Sequence, residues 1–64
     1  MLSEERFKEI CREEGANEAA VEEYWQFQRR FHEEFPNEGD SKEAARFTIW
    51  AMLEHYPEDR RKED

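Results

Sequence analysis

The sequence predicts an all-α fold, a small three-helix bundle with a short charged C-terminal tail. Apolar residues recur at helical spacing over most of the chain, and no stretch alternates between apolar and polar residues as a strand does. Gly15 and Pro36 divide the chain into three helical segments, predicted at about residues 3–14, 17–35 and 40–56. A chain of 64 residues forms one domain. We expect residues 1–56 to form the bundle and residues 57–64 to form a charged, mobile tail.

Helix 1 is predicted to begin after Ser3, whose side chain suits the N-cap position. Phe7, Ile10 and Cys11 follow on a narrow apolar stripe, and charged residues cover the rest of the helix. Gly15 is expected to end the helix, because glycine adopts the left-handed conformation of a C-terminal cap without strain. The narrow stripe predicts that helix 1 packs into a single groove.

Helix 2 is predicted to be the central element of the bundle. Asn17 is a strong N-cap, and Pro36 disfavours helical geometry in Phe35, where the helix is expected to end. On a helical wheel the apolar residues cover about 160°, which is wider than one neighbouring helix needs. These residues are Ala20, Val21, Tyr24, Trp25, Phe27, Phe31 and Phe35. The width predicts that helices 1 and 3 both pack against helix 2.

Helix 3 carries apolar residues on most of its circumference. Asp40 and Glu43 have the spacing of a capping box, so Asp40 is the predicted N-cap, and Pro57 is predicted to stop the helix after Tyr56. The side of helix 3 that carries Phe47 is predicted to face the core. The predicted core of the bundle consists of Phe7, Ile10, Val21, Tyr24, Trp25, Phe31, Phe47, Ala51 and Met52.

The opposite face of helix 3 is the predicted functional site. Trp50 and Leu53 lie on this face, with Ile49 at its margin and Arg46 one turn before Trp50. Patches of Trp, Arg and aliphatic residues are typical of the centres of protein interfaces. The sequence therefore predicts a non-enzymatic protein-interaction module that binds a protein partner, or a second copy of itself as a homodimer, through these four residues. The alternative is that helix 3 is covered on more sides and that the same residues belong to the core.

The net charge of −8 excludes several classes of partner. Phosphate backbones and anionic membranes attract clustered Lys and Arg, so neither direct nucleic-acid binding nor membrane binding is expected. A second hypothesis uses the acidic surface itself: carboxylates along helices 1 and 2 imitate a phosphate backbone and block a DNA- or RNA-binding protein. Salt separates the two hypotheses, because screening weakens the acidic mimic and leaves an apolar interface in place.

No pattern in the sequence indicates a catalytic site, a cofactor, a metal ion or a small-molecule substrate. His32 lies in the apolar arc of helix 2, but His55 is expected roughly 16 Å away along the bundle, too far for a shared metal ion. Cys11 and His55 are expected at the same end of the bundle, and a thiol beside an imidazole is the minimum for a nucleophile and its base. A cysteine on a core stripe usually behaves as a buried apolar residue, so we expect no enzymatic activity.

Two further expectations concern the location and the origin of the protein. No apolar run approaches the roughly 20 residues of a membrane span, and a single cysteine excludes an internal disulfide framework, so a cytoplasmic location is expected. A Glu-rich surface and clear helix caps are typical of designed or surface-redesigned proteins. Designs avoid free cysteines and polar residues in a core face, so the sequence leaves a natural or a designed origin open.

Overall fold

The computed structural model describes residues 2–36 and 41–62, and it confirms the three predicted helices. α1 spans Glu4–Glu13, α2 spans Glu18–Glu34 and α3 spans Lys42–His55. A short 3-10 helix follows at Pro57–Asp59. The fold is an all-α three-helix bundle. None of the helices in the described residues is long and apolar enough to cross a membrane.

Each of the three α-helices begins at a side-chain cap that satisfies a backbone N–H of the first turn. In every case the side-chain oxygen accepts a hydrogen bond from the N–H three residues further on. The caps are Ser3 for α1 at 3.1 Å, Asn17 for α2 at 2.8 Å and Ser41 for α3 at 3.0 Å. The predicted cap Asp40 lies outside the described residues, and Ser41 takes the capping role at the start of α3.

Gly15 ends α1 in a Schellman motif. The N–H of Gly15 donates to the C=O of Arg12 at 3.1 Å, and the N–H of Ala16 donates to the C=O of Cys11 at 3.0 Å. The φ angle of Gly15 is +101°, a conformation that residues with a side chain rarely adopt. Ala16 and Cys11 are both fully buried, so the turn between α1 and α2 is part of the core.

The central helix is α1, and the prediction that both other helices pack on α2 is wrong. α1 packs closely against α2 and against α3, whereas a groove separates α2 from α3. The apolar stripe of α1 is entirely buried, and its Phe7 ring lies against Trp25 with 5.8 Å between the centroids. Because none of the described helices covers the flank of the wide apolar arc of α2, Phe27 and Phe35 are exposed.

The core uses smaller side chains of α3 than the sequence predicts. It consists of Phe7, Ile10, Cys11, Ala16, Ala20, Val21, Tyr24, Trp25, Ala45, Ile49 and Leu53. The predicted core members on α1 and at the start of α2 are confirmed. The other four are corrected: Phe47 is 68% exposed, and Phe31, Ala51 and Met52 are only partly buried.

Aliphatic and charged side chains of α3 both fit the orientation in which this helix packs. The buried stripe is formed by residues one turn apart, Ala45, Ile49 and Leu53. Beside the stripe, the Arg46 guanidinium donates to Glu13 Oε1 at 2.8 Å and to Glu14 Oε2 at 2.7 Å, both at the end of α1. Turning Phe47 into the core would rotate Arg46 away from α1 and break both ion pairs. The observed orientation thus combines burial of the aliphatic stripe with both ion pairs to α1.

Residues 57–62 pack against the turn between α1 and α2. Hydrogen bonds run from the N–H of Asn17 to the C=O of Asp59 at 2.8 Å, from the N–H of Arg61 to the C=O of Gly15 at 2.7 Å, and from the Tyr24 hydroxyl to Asp59 Oδ2 at 2.8 Å. Burial raises the pKa of the Tyr24 hydroxyl, which donates the hydrogen bond to Asp59. The sequence predicts a charged, mobile tail here, and in the structure Glu58, Asp59 and Arg61 of this segment are hydrogen-bonded to the bundle. Residues 63–64 lie outside the described part of the chain.

Candidate protein-interaction surface

The predicted interface residues of α3 do not share one surface. Ile49 and Leu53 are 0% and 1% exposed and belong to the core, so the prediction that they face outward is wrong. Trp50 is 48% exposed and lies at the surface as predicted. Arg46 is partly buried and is held by ion pairs to α1. The surface that α3 offers to a partner is therefore defined by a different set of side chains.

Exposed aromatic side chains of α2 and α3 form the candidate site, which we term the aromatic band. The aromatic band consists of Phe27, Phe31 and Phe35 on α2 and Phe47 and Trp50 on α3. All except Phe31 are between 48% and 68% exposed. The ring centroids of Phe31 and Phe35 lie 5.1 Å apart, and those of Phe47 and Trp50 lie 6.0 Å apart. Contiguous exposed apolar surface of this kind marks interaction sites in proteins.

A groove between α2 and α3 contains two residues of the aromatic band. Its lining residues are Phe27, Gln28 and Phe31 on α2 and Ala44, Ala45 and Thr48 on α3, and its volume is about 140 Å³. The hydroxyl of Thr48 donates to the C=O of Ala44 at 2.9 Å, so this polar group of the groove is satisfied within α3. Phe47 follows Ala44 by one turn and contacts Trp50, but neither ring lines the groove.

Phe27 also lines two further depressions that extend the groove along α2. One contains Tyr24, Met52 and Tyr56, and the other contains Phe31 and Phe35. The charged residues that line these two depressions are Glu22, Glu23, Glu34, Glu58, Asp59 and Arg30. Within the described residues, the site thus combines an apolar surface with a rim on which carboxylates outnumber the one guanidinium.

The α2 part of the aromatic band was missed as a site by sequence analysis. Phe27, Phe31 and Phe35 recur one turn apart, and the sequence shows them clearly as part of an apolar arc. The available signal was the breadth of that arc, about 160°. Such a breadth fits two helices packed on α2, which would leave none of the arc exposed, and it also fits a helix whose flank binds a partner protein.

The structure does not bring together the groups that a Cys–His active site would need. Cys11 is fully buried in the core, whereas His55 is exposed and its ring packs edge-on against Tyr56 with 4.6 Å between the centroids. His32 is buried on α2. Across residues 2–36 and 41–62, no three His, Cys, Asp or Glu side chains are grouped closely enough to hold a metal ion.

The thiol of Cys11 is expected to react very slowly in the folded protein. Burial raises the pKa of the Cys11 thiol to about 12, so almost none of it is thiolate at about pH 8. We expect iodoacetamide to alkylate Cys11 at least roughly a hundredfold more slowly in the folded protein than in concentrated urea, as measured by mass spectrometry. Equal rates in the two conditions would contradict the burial of this residue.

We expect the free energy of unfolding to depend on pH through the ion pair between Arg46 and Glu13. The hydrogen bond from Arg46 lowers the pKa of Glu13 below its usual range. Such a carboxylate stabilises the fold above its unfolded pKa of about 4.3, and this contribution is lost as the pH falls through the lower folded pKa. We therefore expect Arg46→Gln to be less stable than the unmodified protein at neutral pH, and this difference should shrink as the pH falls through the lowered pKa of Glu13.

Urea unfolding of both proteins over a series of pH values measures this difference. Arg29→Gln is the matched control, because it removes the same charge from an exposed arginine that bonds only Gln26 among the described residues. Its effect on stability should be small and should not follow the titration of Glu13. A stability difference for Arg46→Gln that is the same at every pH would contradict the ion pair.

The fold and the site define a small all-α three-helix bundle with an uncovered aromatic surface on two of its helices. No family model, curated protein or solved structure matches this chain. Its function is therefore inferred from its own surface.

Proposed function

We propose that this protein is a non-enzymatic protein-interaction module that binds a protein partner, or a second copy of itself, through the aromatic band. Exposed aromatic side chains cluster along α2 and along α3 on either side of the groove between these helices, and this clustering is the observation that supports the function most strongly. Isolated apolar residues are ordinary on protein surfaces, whereas contiguous patches of large apolar residues are characteristic of interaction sites.

The composition of the aromatic band supports this function further. Trp and Phe are enriched at the buried centres of protein interfaces, where single side chains often contribute most of the binding energy. Phe47 is 68% exposed and Phe27 is 49% exposed in the folded chain, so the fold depends on them less than on the buried core residues. These side chains are thus free to serve binding while Ile10, Ile49 and other core residues hold the bundle together.

An acidic mimic of nucleic acid is the alternative proposal, and the net charge of −8 is its main support. On α1 and α2, several of the carboxylates it would use are held in ion pairs within the chain. Lys8 Nζ lies 2.8 Å from Glu4 and 2.6 Å from Glu22, and Arg12 Nε lies 3.0 Å from Glu18. These pairs partly neutralise the surface that would imitate a phosphate backbone, so the aromatic band is the better supported site.

A pair of surface variants tests the function. The band variant, Phe27→Ser with Phe47→Ser, removes two exposed rings, and the control variant, Glu5→Ser with Glu9→Ser, changes two exposed residues of α1 that lie outside the groove. Both variants should keep their free energies of unfolding within about 1 kcal/mol of the unmodified protein. Each of the three proteins is used as bait in a cell extract, and its molar mass is measured by light scattering across a hundredfold range of concentration.

The expected result is a binding partner that the band variant loses and the control variant retains. A partner from the extract counts only after it has been identified, purified and shown to bind with this same dependence, at a salt concentration near 0.5 M where charge pairing is screened. Self-association that the band variant abolishes also supports the function. If neither self-association nor any purified partner distinguishes the band variant from the control, the proposed function is wrong. Binding that is lost at high salt and is equally strong for the band variant and the unmodified protein favours the acidic mimic.

A further inference from the structure

We infer that the groove between α2 and α3 receives a cationic amphipathic helix of a partner protein. This inference rests on the proposed function, and it adds the chemistry and the secondary structure of the partner. Three features of the groove support it: its length along α2, its asymmetric walls and the charge of its rim.

The length and the walls of the groove fit a helix of about three turns. The apolar lining along α2 runs from Tyr24 to Phe35, which corresponds to roughly 16 Å at 1.5 Å per residue. Large phenylalanine side chains form one wall, and the small side chains of Ala44 and Thr48 form the other. Because the side chains on α3 are small, a helix of a partner can insert its own side chains between the phenylalanines of α2 and the surface of α3. The partner then needs apolar residues at positions i, i+3 or i+4, and i+7.

The rim of the groove selects a cationic partner. Its described carboxylates belong to Glu22, Glu23, Glu34, Glu58 and Asp59, and its described base is Arg30. Glu22 is already paired with Lys8 at 2.6 Å, and Asp59 accepts the Tyr24 hydroxyl at 2.8 Å. In the described part of the chain, Glu23, Glu34 and Glu58 have no ion-pair partner and face the solvent beside the groove. Lys or Arg on the polar face of a docked helix would supply the opposite charge.

The same charge argues against a second copy of this chain as the occupant. A two-fold interface through the groove brings two acidic rims together, and each chain carries a net charge of −8. Like charges placed across an interface oppose association. A basic helix of another protein has both the apolar stripe and the charge that the groove requires, so the inference commits to this partner.

The test uses three synthetic peptides of equal length, about sixteen residues, each labelled with a fluorophore. The first contains Leu and Lys with the leucines on one helical face, and the second has the same composition with the leucines scrambled. The third keeps the leucine pattern and replaces Lys by Glu. Fluorescence anisotropy measures each dissociation constant for the unmodified protein, and amide chemical shifts locate the bound peptide.

The inference predicts that the patterned Leu–Lys peptide binds with a dissociation constant in the micromolar range, as expected for a small interface. The scrambled and Leu–Glu peptides should bind at least tenfold more weakly. Phe27→Ser should weaken the patterned peptide at least tenfold, because it removes the ring that all three depressions share. The amide shifts should change along α2 and α3.

A matched pair of charge variants separates the rim from general attraction. Glu23→Gln with Glu58→Gln removes two carboxylates of the rim, whereas Glu5→Gln with Glu9→Gln removes two carboxylates of α1 that lie outside the groove. Both pairs change the net charge equally. The rim pair should weaken the patterned peptide at least threefold more than the α1 pair.

Equal effects of the two pairs, or equal binding of the patterned and scrambled peptides, would overturn the inference in favour of unspecific attraction to an acidic protein. Tight binding of the Leu–Glu peptide would show that the groove does not select for positive charge, and this result would also overturn the inference. If the protein self-associates and Phe27→Ser abolishes this, the proposed function stands, but the occupant of the groove is a second copy of the chain and the inference of a basic helix is wrong. If no peptide binds and the band variant behaves as the control in every assay, the inference and the proposed function both fail.

Discussion

Replacing Ile49 by alanine is expected to lower the free energy of unfolding by about 3 to 4 kcal/mol. Ile49 is completely buried and lies in the core cluster with Ile10 and Val21, so the substitution leaves a cavity as well as removing buried apolar surface. A domain of this size has a stability of only about 3 to 10 kcal/mol, so a large share of it is lost. Urea denaturation followed by circular dichroism measures the change.

Phe47→Ala is the matched control for Ile49→Ala. It removes a larger side chain from the same helix, yet Phe47 is mostly exposed, and its loss should change the free energy of unfolding by less than about 1 kcal/mol. The order of the two effects reports the orientation of α3. If Phe47→Ala were the more damaging substitution, α3 would face the core with its aromatic side, as the sequence alone predicts.

Ending the chain after Tyr56 is expected to lower the free energy of unfolding by about 2 kcal/mol or more, the second largest effect that we predict. The deletion removes the backbone hydrogen bonds to Gly15 and Asn17 and the carboxylate that accepts the Tyr24 hydroxyl. A net contribution of about 0.5 to 1.5 kcal/mol for each hydrogen bond accounts for the size of the effect. Thermal and urea unfolding of the shortened chain measure it.

A chain that ends after Lys62 is the control for this deletion, because it keeps every hydrogen bond described for residues 57–61. Its stability should equal that of the full chain within about 0.5 kcal/mol. If the chain ending after Tyr56 were as stable as this control, the segment would contribute nothing and would be the free tail that its composition suggests.

The helices themselves could be predicted from the sequence because their determinants are local. Ser3 and Asn17 act as caps through side-chain oxygens that reach the N–H three residues on, and Gly15 ends α1 through its own backbone conformation. Such contacts join neighbours in the chain, so residue type and spacing suffice to predict them. The all-α class and the number of helices follow from the same local patterns.

The orientation of α3 could not be predicted, because its determinants are distant in the chain. Apolar residues surround most of α3, so periodicity alone did not distinguish the Ile49 side from the Phe47 side. The observed orientation brings Arg46 to Glu13 and Glu14, which are more than thirty residues away in sequence. The packing of residues 57–62 likewise depends on backbone groups of the α1–α2 turn, which composition does not reveal.

The candidate site was predicted only in part for the same reason. Trp50 was recognised as a surface residue, but its predicted neighbours Ile49 and Leu53 are in the core. Its actual neighbour is Phe47, and the groove that continues the surface depends on how far α2 stands from α3. A helical wheel shows which residues share a face, and it does not show which faces remain uncovered.

Photocrosslinking at defined positions tests most directly whether the aromatic band is a binding surface. A p-benzoylphenylalanine side chain is placed at position 27, 47 or 9, one position at a time, in the otherwise unmodified chain. Positions 27 and 47 lie in the band, and position 9 is exposed on α1 outside the groove. We predict that positions 27 and 47 crosslink to the same protein, either a partner or a second copy, and that position 9 does not. Equal crosslinking from all three positions, or crosslinking from position 9 alone, would contradict the aromatic band as the site of interaction.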